Sequence, residues 1–224
     1  MTELRPILLS FELAAITTVI LFILGVPLAY KLAYSDFKLK PAVSALISMP
    51  LVLPPTVLGF YLLVAFSPGN FFGSFIEKVF NIRLVFSFEG LVVASMIYSL
   101  PFMINPVQAG LENLPASLKE ASFTLGKSRF QTLIKVVLPN IKPSLLTGLV
   151  LSFAHTIGEF GVVLMIGGNI PGKTRVASLA IYDEVESLNY HNANVYALTL
   201  FAITFVILLT VYIFNGRYLK SGKL

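Results

Sequence analysis

Two stretches of this 224-residue chain carry residue types that could do chemistry. Gly167-Gly-Asn-Ile-Pro-Gly172-Lys173-Thr174 fits G-x-x-x-x-G-K-[ST], a loop whose backbone amides cradle nucleotide phosphates. Leu179-Ala-Ile-Tyr-Asp183-Glu184 imitates the acidic strand that accompanies such a loop. His155 and Glu159 are one helical turn apart and can pair at i,i+4. None of this makes a convincing enzyme. A phosphate loop must follow a buried strand and open a helix in an α/β domain. This one follows a long apolar run, and its acidic stretch lies a few residues on rather than elsewhere in a sheet. His155 and Glu159 are too few for a zinc site. The chain has 2 histidines, only Asp36 and Asp183 as aspartates, and no H-E-x-x-H or G-x-S-x-G. With 0 cysteines, thiol catalysis, disulfides and cysteine metal sites are excluded. The chain is expected to bind no cofactor or metal, so any ATP and magnesium belong to another chain. An intramembrane enzyme stays as the alternative from a different class.

The elements that position these residues are membrane spans. The composition is 56% hydrophobic and 12% charged, with mean hydropathy +0.85, whereas soluble domains carry about 25% charged residues. A span needs about 20 apolar residues. Five runs qualify: Leu13 to Ala33, Val43 to Phe66, Leu91 to about Val107, Leu145 to Ile166, and Val195 to Phe214. The fold class is all-α, since backbone polar groups in lipid must be satisfied within a segment. Residues 1–224 are read as one membrane domain, with the N-terminus a retained first span rather than a cleaved signal.

Basic residues set the orientation. Lys38 and Lys40, the group Lys119, Lys127, Arg129, Lys135 and Lys142, and the tail residues Arg217, Lys220 and Lys223 all fall on one side of a five-span chain. That side is cytoplasmic, which puts the N-terminus outside and the C-terminus inside. The net charge of +5 lies in loops without interleaved aromatics, so nucleic acid is not a predicted partner. On the outer side, Phe71, Phe72, Phe75, Ile76, Val79 and Phe80 share a helical stripe suited to a lipid interface. Residues 175–186 predict a second short outer helix.

The polar island at 112–139 predicts a helix–turn–helix. Pro115 and Ser117-x-x-Glu120 are helix-start signals, the second a capping box. Leu114, Leu118, Ala121 and Leu125 form an apolar face, and Gly126 ends the helix. Ser128-x-x-Gln131 is a second capping box. Phe130, Leu133, Ile134 and Val137 give the next helix its own face, and Leu138-Pro139 stops it. Such faces can be buried only against each other, the span ends or a partner.

This island resembles the EAA loop of ABC-transporter permeases: Glu-Ala-Ala, three residues, Gly, nine residues, Ile, one residue, Leu-Pro. Glu120, Ala121, Gly126, Leu138 and Pro139 match, while Ser122 stands for the second Ala and Val136 for Ile. The resemblance implies a type I importer permease fold, a loop docked on a separate ATPase dimer, and a second copy of the chain. Pro50-Leu-Val-Leu-Pro54-Pro55-Thr-Val-Leu-Gly59, Gly158-Glu159-Phe-Gly161 and Asn169-Ile-Pro-Gly-Lys173-Thr-Arg175 are similar to molybdate permeases, with sulfate, thiosulfate or tungstate permeases as alternatives. An extracytoplasmic oxyanion-binding protein is then implied as a partner.

On that reading, Pro50, Pro54 and Pro55 break the second span, either where it lines a path or as a packing kink. An ionisable residue costs about 2.5–3.5 kcal/mol at a span centre on insertion scales, so Glu159 must face protein or water. A carboxylate repels a dianion, which leaves Glu159 and His155 as a gate or as a pair tying helices together. Lys173 and Arg175 could draw an anion or contact the binding protein, or could simply be solvated.

Overall fold

The structure is a computed structural model that describes residues 4–221, with side chains for 4–213. Lys223 of the predicted basic tail lies outside the described residues. In chain order the helices are α1 (Arg5–Tyr34), α2 (Lys40–Ser48), α3 (Pro55–Phe66), α4 (Phe71–Phe80), α5 (Phe88–Glu112), α6 (Ala116–Thr124), α7 (Arg129–Thr132), α8 (Leu138–Asn140), α9 (Lys142–Ile157), α10 (Gly161–Gly167), α11 (Ala177–Glu186) and α12 (Tyr190–Ser221). No strand occurs among the described residues.

Among the described residues, three helices are long and apolar enough to cross a membrane unbroken: α1, α5 and residues Tyr190–Ile213 of α12. The other two expected spans are interrupted. The second is α2 with a tight turn at Met49–Leu51, followed by α3 at 111° to it. The fourth, expected as one helix from Leu145 to Ile166, ends as α9 at Ile157 and resumes as α10 at Gly161. No proline marks that second break.

The bundle is built on α1, α5 and α9, which pack on one another along their lengths. Small residues let them approach. Met103 of α5 is fully buried between two glycines: a Cβ on Gly25 of α1 would lie 3.0 Å from its Cγ, and one on Gly148 of α9 would lie 3.1 Å from its Sδ. Without a hydrophobic drive between helices in lipid, this kind of close packing is what holds spans together. The buried apolar side chains form two main clusters, one at each end. One gathers Leu13, Leu91, Val162, Ile166 and Leu179. The other gathers Leu21, Leu32, Met103, Val107, Leu111 and Val137, and so reaches into the α7–α8 segment.

The two short helices predicted outside the spans are present. In α4, Phe71, Phe72, Phe75, Val79 and Phe80 are exposed, while Ile76 packs on the core. Gly73 seats α4 on the end of α3, where a Cβ would lie 2.3 Å from the carbonyl oxygens of Phe66 and Ser67. The second is α11, which packs on α12 and α1.

Candidate functional site: two broken runs and a helical hairpin

The first break follows from its prolines. Met49 O accepts from both Val52 N and Leu53 N at 3.0 Å, tightening the end of α2 into a 3₁₀ turn. A residue before proline avoids the helical region, and Pro54 is extended (φ −54°, ψ 135°) ahead of Pro55. Pro55 then opens α3, at the one end of a helix where a missing N–H is harmless. Pro50 is buried, whereas Pro54 and Pro55 are exposed and Val52 is 85% exposed.

The second break is Gly158-Glu159-Phe160. Gly158 caps α9 in the right-handed region, and a Cβ on it would meet nothing closer than 3.7 Å. Its partner in the motif, Gly161, is the crowded one: a Cβ there would come within 2.7 Å of Pro55 Cβ. Gly59 faces back, 2.9 Å in the same sense from Met165 Cβ. The proline break and the glycine motif therefore meet, with α3 and α10 packed on each other.

His155 and Glu159 do not pair, contrary to the i,i+4 expectation. That spacing holds only in an unbroken helix, and the chain leaves the helix between them. Each instead meets a serine of α5. Ser95 Oγ donates to Glu159 Oε2 at 2.7 Å. Ser99 Oγ lies 2.9 Å from His155 Nδ1 and 3.0 Å from Thr156 Oγ1. The imidazole is stacked on Phe102, ring centroids 4.1 Å apart, and tilted against Tyr98. Glu159 is 3% exposed. Ser95 and Ser99 escaped the sequence reading, although two serines one turn apart in an apolar span were the available signal.

The loop after α10 forms a compact knot. Thr174 Oγ1 donates to Gly167 O at 2.7 Å and accepts from Ile170 N at 2.9 Å. Asn169, in the left-handed region at φ 55°, donates to both Asp183 carboxylate oxygens and accepts from Arg175 Nε at 3.0 Å. Arg175 also pairs with Asp183 at 3.2 Å. Arg175 is therefore committed to holding the loop on α11 and is not a free cation, whereas Lys173 is exposed. The P-loop imitation lies between helices, and its "acidic strand" is α11, which agrees with its rejection.

At the opposite end of the bundle the island folds as two helices around Gly126, at φ +74°. Ser128 and Gln131 form the predicted capping box, with both reciprocal hydrogen bonds present. The first predicted box is absent. Pro115 is the cap, without a side-chain bond, and Ser117 already lies inside the helix. The second helix ends one residue past Pro139, at Asn140. Proline cannot supply an N–H and its ring crowds the carbonyl one turn back. The helix responds by widening into a π turn over Leu133–Val137, with Leu138 N bonding Leu133 O.

The apolar faces of this hairpin are not buried against each other. Leu118, Leu125, Phe130 and Ile134 are exposed, Leu125 to 77% and Phe130 to 73%. Ala121 and Glu120 are exposed as well. What joins the helices is a buried hydroxyl pair, Ser122 Oγ and Thr132 Oγ1, 2.9 Å apart. Val137 is buried, and Leu114, Leu133 and Leu138 pack beside it in the core. Lys119 sits 3.5 Å above the Tyr34 ring, and Tyr34 donates to Leu111 O at 2.8 Å. The hairpin is thus tied to the ends of α1 and α5 while its apolar side stays open.

Interrupted spans that meet through glycines, with a hairpin fixed to the far end of the same bundle, define a multi-span membrane protein. Residues 14–220 match the family described as the inner membrane component of binding-protein-dependent transport systems, and the chain belongs to that family. The molybdenum transport system permease protein ModB of Azotobacter vinelandii is 44% identical over 220 residues, covering 98% of this chain and 96% of that one. The sulfate transport system permease protein CysT of Escherichia coli is 35% identical over 196 residues, covering 88% of this chain and 70% of that one. Among solved structures, a chain of a bacterial ABC transporter that imports the acidic polysaccharide alginate has the same fold, with TM-score 0.80 at 17% identity, covering 96% of this chain and 79% of that one.

Proposed function

We propose that this chain is the permease subunit of an ABC importer for molybdate. The supporting observation is the hairpin around Gly126: a bare apolar face on a lever whose other side is anchored in the core through Val137 and Leu138. Such a face fits a groove on an ATPase subunit, which would hold the ATP and magnesium. Glu120, Ala121, Ser122, Gly126, Leu138 and Pro139 would carry the motion.

The cargo assignment rests on the similarity to ModB. Two copies of the chain would enclose a path along the broken runs, with the exposed Pro54, Pro55 and Gly158 facing it and Pro50, Gly59, His155, Glu159 and Gly161 behind them setting its shape. The hairpin side is cytoplasmic, so the N-terminus lies outside and the C-terminus inside. An extracytoplasmic binding protein would deliver the oxyanion to the opposite face, near Asn169 and Lys173. ATP-driven closure of the ATPase pair then moves the lever and switches the path from outward to inward access. A sulfate cargo is the second reading, favoured by the similarity to CysT.

The test is uptake of labelled oxyanions by vesicles containing the chain with its neighbouring ATPase and binding protein. ATP-dependent molybdate uptake that excess sulfate does not suppress is the expected result. Preferential sulfate uptake would reassign the cargo, and uptake without any ATPase subunit would remove the proposal.

A further inference from the structure

Ser95 and Ser99 stand one turn apart, on either side of the point where the fourth span breaks. Ser99 holds the last turn of α9 through His155 and Thr156. Ser95 holds the break itself through Glu159 Oε2. The other carboxyl oxygen, Oε1, is buried without a hydrogen-bond partner, so Ser95 makes the one hydrogen bond described for this carboxyl group. From α11, Ser178 Oγ donates to the Glu159 backbone carbonyl at 2.6 Å and fixes the main chain. Beyond the break, α10 carries Gly161, Val162 and Met165 against α3, and α3 packs more on α10 than on α5.

We propose that Ser95 is a positioning residue for transport: through Glu159 it seats the Gly158–Phe160 break on α5, and thereby sets where the α10–α3 pair stands across the path. The proposal rests on the permease reading above. Without the hydroxyl, the buried carboxyl group has no partner and regains one by turning toward water, which swings the break off α5 about its Ser178 anchor on α11. Ser99 keeps the end of α9 in place, so the displacement is confined to the break, α10 and the α3 helix leaning on it.

The absence of cysteine allows a direct test. Val52→Cys, in the exposed turn before α3, gives this chain a single cysteine for a water-soluble maleimide, and its labelling is read on this chain's own band. Ser95→Ala in that background is expected to change the labelling rate about fivefold, the population shift that one hydrogen bond is worth. It should also raise the ATP hydrolysed per oxyanion imported by a similar factor. Ser95→Thr, which keeps the hydroxyl, and Glu159→Gln with Ser95 intact, which keeps an acceptor oxygen, should both stay at the parental values. Glu159→Leu combined with Ser95→Ala leaves no buried carboxyl group to turn toward water, so it should accumulate even where Ser95→Ala alone does not, and should bring labelling back toward the parental rate. Unchanged labelling in Ser95→Ala, or no rescue by Ser95→Thr or by the added Glu159→Leu, overturns the proposal. Labelling needs no cargo. A parent that imports no oxyanion defeats the permease reading, while the labelling comparison still decides the role of Ser95.

Discussion

Gly161 lies against Pro55 with no room for a side chain: a Cβ on the glycine would stand 2.7 Å from the proline Cβ and 3.2 Å from the amide nitrogen of Thr56. One turn along α3 the relation is reversed. Gly59 receives α10, where its Cβ would meet Met165 Cβ at 2.9 Å and Val162 Cα at 3.1 Å. Each broken run thus lends one glycine to the other, and the two are held together by backbone-close packing.

Gly161→Ala should therefore destabilise the α3–α10 contact. The atoms it meets are a proline ring and a backbone amide, and neither can rotate away. Overpacking of this kind costs about 1–3 kcal/mol. Gly158→Ala, whose Cβ would meet only ordinary van der Waals contacts from 3.7 Å outward, should stay within about 0.5 kcal/mol of the parent. Thermal melting in detergent and uptake in vesicles read both. Equal losses for the two variants would mean that the crowding at Gly161 is relieved by a small shift.

The Ser122–Thr132 pair makes a different kind of prediction, because each hydroxyl satisfies the other in a buried site. Thr132→Val alone strands the serine, and leaving a buried polar group unpaired costs about 1–3 kcal/mol. Ser122→Ala with Thr132→Val removes both groups and should recover most of that loss. A double-variant cycle on thermal stability measures the coupling. Simple additivity would show that water already serves one of the hydroxyls.

Local signals carried much of this fold into the sequence. Gly126 as a left-handed turn, Ser128 with Gln131 as a capping box, and the apolar runs each depend on a few neighbouring residues. Readings that required knowledge of packing went astray. The pairing of His155 with Glu159 presumed a continuous helix, and Gly158 offers no steric sign of the break. The Leu118, Ala121 and Leu125 stripe was legible as a helix face. That it stays bare while Ser122 turns inward depends on Thr132, ten residues away across the turn. Arg175 gave no hint in sequence of being taken up by Asn169 and Asp183.

That network separates the two basic residues of the α10–α11 loop. Arg175→Ala frees Asn169 and Asp183 and should loosen the loop, lowering the melting temperature and exposing the loop to protease. Lys173→Ala removes an exposed charge and should leave stability within about 0.5 kcal/mol. If Lys173 draws the anion or its carrier, this variant should instead raise the oxyanion or binding-protein concentration needed for half-maximal uptake, and more so at low salt, where exposed charges are less screened. Equal proteolysis of both variants would argue against the structural role of Arg175.

The turn at Gly126 isolates a pure backbone effect. Its φ is +74°, and a Cβ there would meet nothing within 4 Å. Gly126→Ala can act only through the left-handed conformation, which costs an L-residue about 1–2 kcal/mol. Gly126→Asn should cost less, since asparagine enters that region more readily. Gly126→Pro cannot reach a positive φ at all, and must break the angle between α6 and α7. The expected order of coupling between ATP hydrolysis and uptake is parent, then Asn, then Ala, with Pro uncoupled while still present in the membrane. Glu120→Ala, on the same exposed hairpin, should uncouple with no loss of thermal stability. Normal uptake by the Gly126→Pro and Glu120→Ala proteins would mean that motion reaches the spans by some route other than this hairpin.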